Sequence, residues 1–269
     1  MSVRSLAETL RRRAATGRIR AHGNPVSVTA PAGGVATPPG ASPEEMQRVI
    51  DRDQADFQNM RRLLAFCLAA DANCIDVGAH RGAVLAEMRR VAPNGKHMAF
   101  EPLPHLAQLL RTEFPDVEVR ESALSDQSGE TDFAYVHGAA EGWSGLIFRP
   151  LPTGEQATVE QITVKLDRLD DLLDPGYRPA AIKIDVEGAE LQVFRGAVET
   201  LRRHKPIVIF EHGTGSAEAY GTHPHDVFAF LHAEVGMRIF DLDGGGPYSA
   251  DEFEQAFFSA ARVNFVAHA

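Results

Sequence analysis

An α/β fold built on a mostly parallel sheet with helices on both faces is predicted by three observations. From residue 73 onward, short apolar runs alternate with amphipathic helical stretches, which is the pattern of consecutive strand–helix units packed as layers. One apolar run ends in Asp76, with Gly78 and Gly82 before a helical stretch, and this reads as strand, tight turn, helix. The residues at the ends of successive runs are unusually polar: Asp76, Glu101, Ser122, Asp185, Glu211 and His212.

The 269 residues suffice for one domain with an extension. The expected division is a basic extension and Pro/Gly/Ala-rich linker over residues 1–42, then one domain over 43–269. The chain is 44% hydrophobic without a run of 18 apolar residues, so no membrane span is expected. The arginine-rich start lacks the apolar segment of a secretory signal, which points to the cytoplasm. The 27 basic and 37 acidic residues give a net charge of −10, although residues 1–20 carry six arginines against one glutamate. The remainder is therefore near −15, too acidic for a nucleic-acid partner, because phosphate contacts need clustered lysines and arginines. The arginine tail reads as a solvated extension or a recognition arm. Cys67 and Cys74 lack metal-ligand spacing and read as buried free thiols.

In chain order, Met46, Ile50, Phe57, Met60, Leu64 and Leu68 follow helical spacing after a Ser42 cap, giving a leading helix that covers the sheet. Strands are expected at 73–77, 96–101 and 117–121, with helices at 82–91 and 104–114. Residues 130–137 and 158–166 read as strands flanking a loop, 138–156, that holds Trp143 and Ser144. A short buried strand ends at Asp185, and Leu191, Phe194, Val198 and Leu201 share one face of the helix that follows it. A strand at 206–210 leads to Glu211 and His212. Helices at 225–235 and 250–261 alternate with strands at 237–241 and 262–268, the last antiparallel at or near the edge. Pro224 places the start of a helix within His223-Pro-His225-Asp226, and Asp241-Leu-Asp243 reads as a turn before three glycines.

Ligands of open parallel sheets bind beyond the carboxyl ends of the strands. The spacing Asp76-x-Gly78-x-x-x-Gly82 departs from the Gly-x-Gly-x-x-Gly of a dinucleotide site, and a carboxylate is poorly placed for a diphosphate. Asp76 suits the amine of S-adenosylmethionine, Glu101 two ribose hydroxyls, and Ser122 with Ala123 the adenine edge. Asp185, Glu187, Glu211 and His212 face the reacting atoms in this reading, with His212 as the base that removes a hydroxyl proton near neutral pH. Asp185, Glu211 and His212 also offer a ligand set for magnesium, or Glu211 and His212 simply satisfy the turn at Gly213 and Gly215. Glu190 reads as a solvated or early-turn charge. Trp143 either stacks on a sugar or plugs the core.

Residues 74–126 with Glu101-Pro102, Thr163-Val-Lys-Leu-Asp167 and the segment Lys183-Ile-Asp-Val-Glu-Gly-Ala-Glu190 resemble the FkbM family of S-adenosylmethionine-dependent methyltransferases. The resemblance implies the seven-stranded class I methyltransferase fold and O-methylation of natural-product or sugar hydroxyls. It implies a cofactor side of Asp76, Gly78, Glu101, Ser122, Ala123 and Asp185, with Trp143 and Ser144 beside the acceptor. The expected acceptor is a hydroxyl of a sugar or saccharide-containing metabolite, small or oligosaccharide. Alternatives are a polyketide hydroxyl and a non-catalytic cofactor-binding module. A homodimer is compatible with the sequence.

Overall fold

The computed structural model describes residues 26–28, 43–147, 157–259 and 262–269. Most of the basic extension and linker, the Ser42 cap and residues 148–156 lie outside them. Strand β1 (Val26–Val28) is followed by helix α1 (Pro43–Cys67), β2 (Asn73–Val77), α2 (Ala83–Val91), β3 (Met98–Phe100), α3 (Pro104–Glu113) and β4 (Glu118–Arg120). Then come β5 (Ala123–Leu124), β6 (Gly129–Val136), a 3₁₀ turn (Gly138–Trp143), β7 (Ala157–Asp167), α4 (Leu169–Leu172) and β8 (Pro179–Ile184). The rest is α5 (Glu190–Gly196), α6 (Val198–His204), β9 (Ile207–Glu211), a 3₁₀ turn (Ala217–Tyr220), α7 (Pro224–Ala229), β10 (Arg238–Asp241), α8 (Ala250–Ser259) and β11 (Asn264–His268).

Seven strands form the expected sheet, in the order β10-β11-β9-β8-β2-β3-β4. The pairs from β9 to β4 are parallel, and β11 runs antiparallel between β9 and β10. The last strand is thus next to the edge, as the sequence predicts.

Side-chain alternation sorts the strands between two faces. Ile75, Ile182, Val208, Phe210 and Phe265 pack with Phe194, Phe230 and Phe253 on one face. Cys74, Ala181, Ile209 and Val266 pack on the other, against Met60 and Leu64 of α1 and Met88 of α2. This parity decides the site, because Asp76, Lys183 and Ile209 lie opposite one another in register on the α1 face.

Three local features refine the sequence reading. The single helix expected after residue 185 is broken into α5 and α6 at Ala197. The break follows Gly196, where a Cβ would lie 1.9 Å from the Ser125 carbonyl. The helix expected at 225–235 begins as α7 and widens into a π-helix over Phe230–Val235. The two strands around the 138–156 loop pair antiparallel in a smaller sheet, in which β5 and β1 flank β7. The helix start at His223 is borne out by a capping box with Asp226. The turn at Asp241 is built by its carboxylate, which accepts from the amides of Asp243 at 2.9 Å and Gly245 at 2.7 Å. Cys74 is buried as expected, whereas Cys67 is exposed.

Candidate active site

The carboxyl ends of β2, β3, β8 and β9 open into a cavity of about 570 Å³, closed on its sides by α1, β5, β6 and the Gly138–Trp143 turn. The β2–α2 turn is specified by glycine. Gly78 has φ +73°, and a Cβ there would lie 1.9 Å from the Asp185 carbonyl, so two strand ends meet through bare backbone. Gly82, at φ +80°, faces the Phe114 ring in the same way.

Glu101, at the end of β3, is 4% exposed, and its two oxygens each accept one backbone amide, His80 at 2.8 Å and Leu103 at 2.9 Å. Burial pushes its carboxyl up to about 7. Each oxygen keeps a lone pair for a further donor. Ser122 and Ala123 line the cavity nearby with Phe100, Leu124 and Phe133. The Ser122 hydroxyl is buried with no hydrogen-bond partner, and a buried orphan of this kind calls for one. Asp76 lies beneath the turn, fully buried. Its oxygens face the Leu85 amide of α2 without a well-formed hydrogen bond, and the Lys183 ammonium stands 4.0 Å away. Burial raises its pKa against the pull of Lys183.

Lys183 is the residue the sequence reading missed. It projects from β8 on the Asp76 side, pairs with Asp185 at 3.0 Å and donates to the Gly78 carbonyl at 3.3 Å. Burial opposes its charge, but Asp185 and Asp76 hold its pKa above the ordinary lysine value. Glu211 projects from β9 onto the same face and hydrogen-bonds Asp185. Burial and the charges of Asp185, Glu187 and Glu190 raise the Glu211 pKa well above the ordinary value. Asp185 is lowered despite burial, because Lys183 and the Glu211 hydrogen bond favour its ionised form. The two carboxyls titrate as a pair, in which Lys183 beside Asp185 favours the charge there and burial among carboxylates disfavours it on Glu211. Glu187 lines the cavity from the next turn with a left-handed φ of +62°, a conformation that costs about 1 to 3 kcal/mol in a non-glycine residue. Asp53 and Asp56 of α1 also line this end; burial and the nearby charges of Asp56 and Asp185 raise the Asp53 pKa. α1 is thus more than a cover.

Four expectations are corrected. His212 follows Glu211 by one residue and so points to the opposite face, where its 1% exposed ring packs against Phe253 and Phe257 with neither nitrogen hydrogen-bonded. It does not line the cavity, so the base and ligand roles expected of it have no geometric support. The magnesium set loses its imidazole, and its two carboxylates are joined to each other, with Asp185 also paired to Lys183. Among the described residues no group of three or more acidic, histidine or cysteine side chains is arranged for a metal, and the donor set does not fit one. Glu190 stands in the first turn of its helix, as one of its two expected readings had it, but it is buried rather than solvated, accepting from the amides of Val186 at 3.2 Å and Gly188 at 3.0 Å. Trp143 is not among the cavity-lining residues, while Ser144 lines the cavity with its hydroxyl already engaged by the Glu141 carbonyl and the Val136 amide.

The sheet order and the cavity at its strand ends define a class I S-adenosylmethionine-dependent methyltransferase. The orphaned Ser122 hydroxyl, the half-satisfied Glu101 and the loosely satisfied Asp76 fit an adenosyl cofactor with a cationic amine. The chain belongs to the methyltransferase FkbM domain family, which it matches over residues 76–239. It is 27% identical over 210 residues to hexuronic acid methyltransferase AglP of Haloferax volcanii, covering 75% of this chain and 78% of that one. It is 29% identical over 176 residues to 2-O-methyltransferase NoeI of Sinorhizobium fredii, covering 61% and 72%. The crystal structure of methyltransferase FkbM from Methylobacillus flagellatus superposes with a TM-score of 0.47 at 16% identity, over 75% of this chain and 44% of that one.

Proposed function

We propose that the domain over residues 43–269 transfers a methyl group from S-adenosylmethionine to a hydroxyl of a neutral sugar or saccharide-containing metabolite. The observation that carries this reading is the cluster Lys183, Asp185 and Glu211 on one face of the sheet, beside Asp76 and open to the cavity. The cofactor, when bound, supplies a methyl carbon already activated by its sulfonium. The protein then has to align the acceptor oxygen and take its proton.

In this reading Asp76, Gly78, Glu101, Ser122 and Ala123 serve the cofactor. Asp185, held ionised by Lys183, accepts the acceptor's hydrogen bond and then its proton, while Glu211 keeps the pair's first proton. Glu187 orients a second hydroxyl. The name of AglP, a hexuronic acid methyltransferase, supports an acceptor of the sugar class, and that of NoeI, a 2-O-methyltransferase, supports transfer to oxygen. The carboxylates at this end, Asp53 and Glu187 beside the paired Asp56 and Asp185, outnumber its cations Arg52 and Lys183 and favour an uncharged acceptor over a phosphorylated sugar. Among the described residues no helix is long and apolar enough to cross a membrane, and no step of the reading needs one.

The test is a mass-spectrometric screen for methyl transfer to neutral glycosides, uronates, sugar phosphates and polyketide alcohols, each with EDTA and with added magnesium. Neutral glycosides should give product in both arms. Product from polyketide alcohols alone would overturn the acceptor assignment, and loss of activity in EDTA restored by magnesium would overturn the metal-free site.

A further inference from the structure

We propose that Glu141 is a clasp that holds the Gly138–Trp143 turn across the mouth of the cofactor cavity, a positioning residue that slows cofactor release. Glu141 is 7% exposed. One of its oxygens meets His105 Nε2 at 2.6 Å and the Tyr135 hydroxyl at 3.4 Å. The other meets Arg81 Nη2 at 3.0 Å and His80 Nε2 at 3.4 Å. These partners come from three places: the glycine turn after β2, the first helical turn of α3, and β6. Charge-assisted bonds to three segments make one carboxylate a junction, and the pKa of Glu141 is lowered, its burial outweighed by His105 and then Arg81.

The junction mirrors Glu101. The amides of His80 and Leu103 bind Glu101 from inside the cavity, and the side chains of Arg81 and His105 bind Glu141 beside its mouth, with the His80 ring 3.4 Å away. Both carboxylates line the cavity. They fix the same two segments, so the residue expected to hold the ribose is braced by the residue that closes the entrance. The turn is itself rigidly attached to β6, where Gly145 and Ala134 exchange two backbone hydrogen bonds, at 2.8 and 3.1 Å. Opening the mouth therefore means breaking the Glu141 contacts rather than bending the turn.

This inference rests on the cofactor reading, and the probe is S-adenosylhomocysteine, followed by calorimetry and by stopped-flow dissociation. Glu141→Ala should release it about tenfold faster than the wild type, with Glu141→Gln intermediate because its amide oxygen still accepts from Arg81. The melting temperature of the cofactor-free protein should move little, since three of the four partners are at least 40% exposed. Arg81→Ala should speed release as well, and the double variant should be no faster than Glu141→Ala alone. Should Glu141→Ala fail to fold, the exposed Arg81→Ala and His105→Ala variants carry the same test. A wild-type release rate in these variants, or full additivity of the Arg81 and Glu141 effects, would overturn the clasp. Absence of binding by the wild-type protein would instead overturn the cofactor reading.

Discussion

The ends of β2 and β3 and the ends of β8 and β9 face one cavity but are held in opposite ways. On the first side, Glu101 is bound by backbone amides and Gly78 sits backbone to backbone on Asp185. On the second, Lys183, Asp185 and Glu211 satisfy one another, and the position of a proton decides the charge. A carboxylate held by main chain is preorganised by the fold itself, whereas a side-chain cluster answers to pH and to single substitutions. The difference suits the proposed reading, in which the donor takes the fixed seat and the acceptor end supplies a group that can take up a proton.

The strongest way to break the comparison is at the contact joining the two sides. Gly78→Ala would place a Cβ 1.9 Å from the Asp185 carbonyl at a φ of +73°. It should abolish S-adenosylhomocysteine binding in calorimetry and destabilise the fold by about 3 kcal/mol or more in denaturant titrations. Asp185→Asn attacks the second side alone, and should lower kcat by about 10² to 10⁴-fold while cofactor affinity changes far less. Equal losses in both quantities would show that the two sides are not separable. Glu101→Gln attacks the first side and should weaken cofactor binding about tenfold. Because the Glu101 carboxyl is raised to about 7, wild-type affinity should increase as the pH rises through that value and the carboxylate forms, and the glutamine variant should lose this dependence.

The smallest effect on turnover is expected at His212, behind the sheet. His212→Phe should leave kcat within about threefold of the wild type, and a larger loss would restore the residue to the site. Its effect belongs to stability. Burial lowers the ring's pKa from 6.5 to about 4, so the fold favours the neutral form. That contribution is intact above pH 6.5 and is lost as the pH falls from 6.5 through 4. The variant should flatten the acid limb of the unfolding profile over that interval.

The fold was legible in the sequence because alternation of strand and helix periods is a local property. The strand-end positions on the side proposed for the donor were legible for a related reason: Asp76, Gly78 and Glu101 follow apolar runs, and strand ends are readable from such runs. The acceptor side depends on which face a residue occupies, and that signal was present but unused. A period of two separates His212 from Glu211 and groups Lys183 with Asp185. What could not be read is contributed from a distance. Asp53 and Asp56 reach the cavity because α1 packs across β2, β8 and β9, and Glu141 finds partners on segments 36 and 60 residues away.

The antiparallel insertion of β11 has a consequence for how the chain matures. Until Asn264–His268 have been synthesised, β9 has one unpaired edge and β10 has no neighbour in the sheet. The strands β2, β3 and β8 of the parallel half all precede Asn264, which lines the cavity, so they can pair before that residue has been synthesised. A nascent chain would therefore hold its donor seat before its acceptor end is walled in, and the free edge of β9 is the segment that most needs protection from stray strand pairing in that interval.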